Sequence, residues 1–174
     1  MSKAQEDLSQ VDVTEAATGD ARTTEDLLAD TENPVQALFW DGARGHRVLD
    51  RIYTGDNISV AVASTGNLWI KAIKSRNVTL FCSGSSTLKI PTLECDHLTI
   101  HVGYSSTVNL EDVRVDGRCQ IDVHYSSTLR LNEGHMKAIE GSISNSSTGC
   151  HKSITFDSDK VTTSSGSVWT SFCL

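Results

Sequence analysis

Apolar and polar positions alternate along the chain in short bursts, and the bursts recur. Val78, Leu80 and Cys82 alternate with other residues, as do Leu98, Ile100 and Val102, and again Cys119, Ile121 and Val123. Period two places such residues on one face of a β-strand. The bursts are only three to five residues long and are separated by Gly, Ser, Asn and Asp, the residues of turns. One phrase occurs twice: Ile100-His-Val-Gly-Tyr-Ser-Ser-Thr-Val-Asn-Leu110 returns 21 residues later as Ile121-Asp-Val-His-Tyr-Ser-Ser-Thr-Leu-Arg-Leu131.

The recurrence extends in both directions. Ser-Ser-Thr stands at Ser85–Thr87, Ser105–Thr107, Ser126–Thr128 and Ser146–Thr148, with weaker copies at Ser64-Thr65-Gly66 and Ser164-Ser165-Gly166. The residues after the triplets form a column: Leu68, Leu88, Val108, Leu129, Gly149 and Val168. A second column is Val60, Leu80, Ile100, Ile121, Gly141 and Val161, and a third is Val62, Cys82, Val102, Val123, Ile143 and Thr163. A fourth runs Ile73, Leu93, Val113, Gly134 and Ile154. A fixed period of 20 or 21 residues marks a repeat architecture.

Spans this short leave no room for a crossover helix, so strands of successive repeats must stack directly. The expected fold is therefore all-β, a short parallel β-helix (β-solenoid) of about six coils of 20–21 residues. At roughly 4.8 Å per coil the rod is about 29 Å long. Strand spacing alone also suits a β-sandwich, but a sandwich does not demand the same triplet in every second strand.

Composition divides the chain. Residues 1–33 carry nine acidic residues against Lys3 and Arg22, a net charge of −7, while the remainder balances at 13 acidic and 13 basic residues. Few apolar residues and high charge predict a disordered acidic tail over 1–33, in which Thr23–Leu28 carries a helix-start signal suited to docking on a partner. Residues 34–56 are rich in apolar and aromatic side chains (Val35, Leu38, Phe39, Trp40, Val48, Leu49, Ile52, Tyr53) and read as an N-terminal cap. Residues 57–174 are the solenoid with its C-terminal cap. There Val168, Trp169 and Phe172 either fold over the last coil or present an end-to-end assembly surface to a second subunit.

The N-terminal stretch lacks a basic region followed by an apolar one, and no apolar run is long enough to span a membrane. Cys82, Cys95 and Cys119 each stand alone in an inward column, as buried free thiols do in a reducing compartment. The expected location is cytoplasmic, and the sequons at Asn57, Asn77 and Asn145 are expected to carry no glycan. No C-x-x-C or Cys/His cluster is present, so neither a metal nor another cofactor is expected. An acidic chain with scattered Lys and Arg does not suit nucleic acid.

Candidate binding residues follow from parity. Ser86, Ser106, Ser127 and Ser147 point inward, and Thr87, Thr107, Thr128 and Thr148 form an outward rank of hydroxyls. Such a rank suits a corner device, stacked Thr being favourable in parallel sheet, or a ligand-binding edge. Tyr104 and Tyr125 stack one coil apart in a column with Gly84 and Asn145, as corner packing or a sugar platform. His101 and Asp122 share an outward column, with His124 two residues beyond Asp122. A histidine beside a carboxylate has the residue types of a general base, but no second carboxylate stands at a glycosidase-like position, so no enzyme activity is expected.

The run Leu80-Phe-Cys-Ser-Gly-Ser-Ser-Thr-Leu-Lys-Ile90, repeated at Ile100–Leu110 and Ile121–Leu131, resembles the repeats of the auto-transporter adhesin head GIN domain over about residues 57–169. That resemblance implies a parallel β-helix and a role in adhesion or surface structure, with no catalytic residues. Here Ser-Ser-Thr replaces the Gly-Asp part of the family's corner, and the acidic tail replaces a secretion or lipoprotein signal. Coil length is also similar to the β-helical domains of cyclase-associated protein and tubulin cofactor C, which are intracellular and bind cytoskeletal proteins. The functional expectation is a non-catalytic protein-binding, scaffold or structural module, the partner being another protein or a second copy. The alternatives are end-to-end self-assembly and a carbohydrate-binding, adhesin-like module.

Overall fold

The computed structural model describes residues 13–14, 35–41, 46–53 and 57–173. The expected disorder of the rest of the tail, and the docking motif at Thr23–Leu28, lie outside the described residues.

Among the described residues eleven strands form one continuous parallel stack, and a twelfth joins it as an antiparallel pair at its N-terminal end. On one side lie β2 (Val35–Asp41), β4 (Asn57–Ala63), β6 (Asn77–Cys82) and β8 (His97–Val102). On the other lie β3 (His46–Tyr53), β5 (Asn67–Lys74) and β7 (Thr87–Cys95). The long strand β9 (Thr107–Val123) joins both sides, and β10 (Thr128–Ile143) and β11 (Thr148–Thr163) lie on it in turn. β12 (Val168–Thr170) begins the next turn, and β1 (Val13–Thr14) pairs antiparallel with β3. This is the expected β-solenoid of about six turns, and the described residues contain no helix.

The columns hold in register. Val60, Leu80, Ile100, Ile121, Gly141 and Val161 face one another from turn to turn. Val60, Leu80, Ile100 and Ile121 are buried with their neighbours in one core, and Val161 packs partly buried against it at the last turn. A longer step of 21 residues comes from one extra residue at Asp116–Gly117, where Met136 faces Val115 but Ala138 already faces Arg118. Two column members are glycines for a steric reason: Gly134 and Gly141 have φ of 126° and 135°, and a Cβ there would strike the carbonyl oxygens of Val113 and Ile121.

Two ends depart from the sequence reading. Within residues 34–56, read as a cap, the strands 35–41 and 46–53 stack on the next turn as the later strands do: β2 is parallel to β4 and β3 to β5, with Leu38, Trp40, Leu49 and Ile52 buried. At the other end the column after the triplets closes with Trp169, not Val168. Gly149 faces Trp169, and Val168 faces Thr148.

Candidate functional site

The corner that each Ser-Ser-Thr triplet makes is built by backbone first. Tyr104 and Ser105, Tyr125 and Ser126, and Asn145 and Ser146 all lie in the left-handed region, with φ between 56° and 64°. Gly84 fills the same place with φ 73°, which explains why Gly, Asn and Tyr share one column. Hydrogen bonds between turns continue through the corner: Ser85 N–H donates to the Tyr104 carbonyl, and Ser105 N–H to that of Tyr125, each at 2.9 Å.

The third residue of the corner turns in. Ser86, Ser106, Ser127 and Ser147 are each 1% exposed, as parity required. Their hydroxyls serve the corner itself. The N–H of Ser86 donates to Ser106 Oγ and that of Ser127 to Ser147 Oγ, both at 3.2 Å, while Ser86 Oγ donates to the Ser83 carbonyl at 2.7 Å. Thr87, Thr107, Thr128 and Thr148 face one another in register at the start of the following strand. The first three are half-buried and Thr148 is exposed. They therefore line the face beyond the corner, and Tyr104 and Tyr125 project from the corner.

What joins the tyrosines is the face before the corner. The outward column there reads Phe39, Ala61, Phe81, His101, Asp122 and Ser142. Phe81 lies flat on His101, with ring centroids 4.9 Å apart and an interplanar angle of 7°. Asp122 stands between the two imidazoles, its carboxylate 3.8 Å from His101 Nδ1 and 3.6 Å from His124 Nδ1, and Ser142 Oγ donates to it at 3.4 Å. His124 meets the edges of both Tyr104 and Tyr125, which stack on each other at 4.9 Å. Gly103 makes room for His124: a Cβ there would lie 2.7 Å from its Nε2.

The outcome is a ridge on one side of the rod with two ring clusters, Phe81 on His101 and His124 with Tyr104 and Tyr125, bridged by Asp122, and with Phe39 set apart beyond Ala61. Among the described residues six large hydrophobic side chains are exposed, and four of them, Phe39, Phe81, Tyr104 and Tyr125, lie on this side. Val168 and Phe172 are the other two. The sequence flags the tyrosines and histidines. It also sets Phe81 in one outward column with His101, Asp122 and Ser142; Phe39, read into the N-terminal cap, joins that column only once β2 lies in register with β4.

On the next edge a second feature was not foreseen. A groove of about 460 Å³ is lined by Lys74, Ser75, Arg76, Glu94, Cys95, Asp96, Arg114 and Asp116. Lys74 Nζ lies 2.6 Å from Glu94, and this contact, helped by the charge of Arg114, holds the Glu94 carboxyl below its usual range. The Cys95 thiol at the groove floor is pushed up to about 12 by burial, with Asp96 and Asp116 adding to the effect, so it stays protonated. Burial raises Cys82 and Cys119 as well, and all three are free thiols.

The C-terminal end gathers Val168, Trp169 and Phe172 only in part. The Trp169 indole packs over Gly149, 5.0 Å from the His151 ring and 6.3 Å from that of Phe156, and its Nε1 donates to Asp159 Oδ2 at 2.9 Å. Val168 and Phe172 face away. A disulfide joins Cys150 to Cys173, a pairing that no spacing in the sequence announces.

Among the described residues no cluster of three or more His, Cys, Asp or Glu is placed to hold a metal, and no helix is long and apolar enough to cross a membrane. Comparison with protein-family models, curated proteins and solved structures finds no match to this chain. A parallel solenoid does not by itself identify an adhesin-head domain, so that resemblance rests on the repeat pattern alone.

Proposed function

We propose that the chain is a non-catalytic protein-binding module and that its partner docks on the ring-bearing side of the rod. The carrying observation is the concentration of exposed Phe39, Phe81, Tyr104 and Tyr125 on one side of an otherwise well-buried core. Aromatic side chains give much contact area at low entropic cost and are enriched where proteins meet. The ridge carries one carboxylate, Asp122, flanked by two histidines, which suits a contact of mixed polarity.

The stacking of Tyr104 on Tyr125, with His124 perpendicular to both, leaves an outer face on each tyrosine. What favours a protein over a sugar is the spread of exposed rings over several turns with a carboxylate among them. The His–Asp–His arrangement lies on the open surface, away from the groove at Lys74 and Arg114, and the Ser142 hydroxyl beside it is bonded to Asp122. A lateral contact is also favoured over end-to-end stacking, because three of the core columns become polar at the last turn: Leu131 is followed by His151, Ile139 by Asp159 and Ile143 by Thr163.

The test uses substitutions the chain already employs elsewhere in the same columns. Tyr104→Asn with Tyr125→Asn copies Asn145, and Phe81→Ser copies Ser142. Full-length protein is used to capture partners from an extract, beside this triple variant and a Thr87→Ser/Thr107→Ser control on the other face. A protein retained by wild type and control but lost with the triple variant is the expected result. Retention by the triple variant refutes the proposal, and glycan-array binding that the triple variant abolishes replaces it with the carbohydrate reading.

A further inference from the structure

The last turn ends in a short segment with a tie at its far end. Ser164–Ser167 turns tightly, with φ of 54° at Ser165 and 74° at Gly166, and Val168–Thr170 then runs beside Thr148–Cys150. Val168 N–H donates to the Ser147 carbonyl at 3.1 Å, and Ser167 Oγ accepts from Ser147 N–H at the same distance. Gly149 is a fitted seat for the Trp169 indole: a Cβ there would meet the ring at 2.6 Å and collide with Ile143 Cδ1. Under the indole lie His151 and Phe156. The Trp169 Nε1–H donates to Asp159 Oδ2, and beyond Thr170, where Phe172 N–H bonds locally to Thr170 Oγ1, the segment is tied to the solenoid by the Cys150–Cys173 disulfide.

We propose that this segment is a lid over the C-terminal end of the solenoid and that the disulfide is a clasp set by redox state. A strand of three residues on an exposed edge is too short to stay paired by its own hydrogen bonds. A crosslink spanning 23 residues removes most of the freedom the released segment would gain. Cys150 is 3% exposed, whereas Cys173 is half-buried, so the clasp is accessible from the Cys173 side.

Opening needs a dithiol reductant. One thiolate of the reductant attacks Cys173 Sγ; a mixed disulfide forms, the Cys150–Cys173 bond breaks, and Cys150 leaves as a thiolate that takes up a proton. The second thiolate of the reductant attacks its own sulfur in the mixed disulfide and releases Cys173, which is protonated in turn. The protein gains two electrons and two protons, and the dithiol becomes a disulfide. The lid then lifts, uncovering the Thr148–Cys150 edge, the Gly149 trough and the ring of Phe156.

Hydrogen exchange read by mass spectrometry on the full chain tests the clasp. The oxidised protein is compared with protein treated with dithiothreitol and with Cys173→Ser. Exchange of the Val168–Thr170 amides is expected to speed up about tenfold or more on reduction, while residues 87–123 keep their protection. Cys173→Ser should exchange at the fast rate without reductant and should not respond to it. Equal protection in oxidised and reduced protein overturns the proposal, as does wild-type protection in Cys173→Ser. So does peptide mapping of oxidised protein that finds Cys150 and Cys173 free or bonded to another chain.

Discussion

The corner serines show how little of a repeated polar motif is available for recognition. Ser147 Oγ accepts the buried N–H of Ser127, and its own N–H donates to Ser167 Oγ. Removing the hydroxyl strands a buried donor, which costs about 1–3 kcal/mol. Ser147→Ala should lower the urea midpoint by that equivalent, while Thr107→Ser, in the outer rank two turns away, should leave it nearly unchanged. An equal response of both variants would mean that the inner rank has no special place in the corner. The direction of these side chains was legible in the sequence because parity carries through the triplet. Their partners were not, because they depend on left-handed backbone at Tyr125 and Asn145 that no local propensity announces.

At the level of the strand, the columns were legible because two periods act together. Burial imposes alternation within a strand, and stacking imposes about 20 residues between strands. The reading slipped once, at the last corner. Ser164-Ser165-Gly166 looks like a degraded triplet, yet in register Gly166 stands over Ser146, Ser167 over Ser147 and Val168 over Thr148. That shift of one residue moves Trp169 into the core column above Gly149 and gives the end of the rod its lid. The seat of the lid also responds to acid. Burial lowers the His151 pKa from its ordinary value of 6.5, with Asp159 opposing in part. The proton therefore goes more readily to the open form than to the closed one, and closure weakens as pH falls from the ordinary imidazole value through the lowered one. Exchange at Val168–Thr170, corrected for the intrinsic rate, should be faster at about pH 5 than at about pH 7.5. His151→Leu, which continues the Leu131 column, should remove the difference; a persisting difference would assign the effect to another group.

Across the whole molecule, each turn touches only the turns before and after it, so stability is a sum of turn-by-turn terms. The ring-bearing side crosses several turns without belonging to the core: Phe39, Phe81, His101, Tyr104, His124 and Tyr125 come from four turns, with Ala61 on the turn between Phe39 and Phe81. Its individual residues could be seen in the sequence, but its continuity could not, because neighbours on the surface are separated by a full repeat in the chain. The Cys150–Cys173 link has a further consequence when the rod is loaded mechanically. Hydrogen bonds between turns run along the axis, so tension on the two termini peels the turns off one after another. Tension entering at Cys173 passes through the sulfurs straight to Cys150 and bypasses the 23-residue span between them. That span bears no load and stays slack while the turns beneath it unwind. In optical tweezers the reduced protein should extend about 80 Å further than the oxidised one before the end point, the reach of the freed span at ~3.5 Å per residue. Equal extensions would mean that the span bears load in both states.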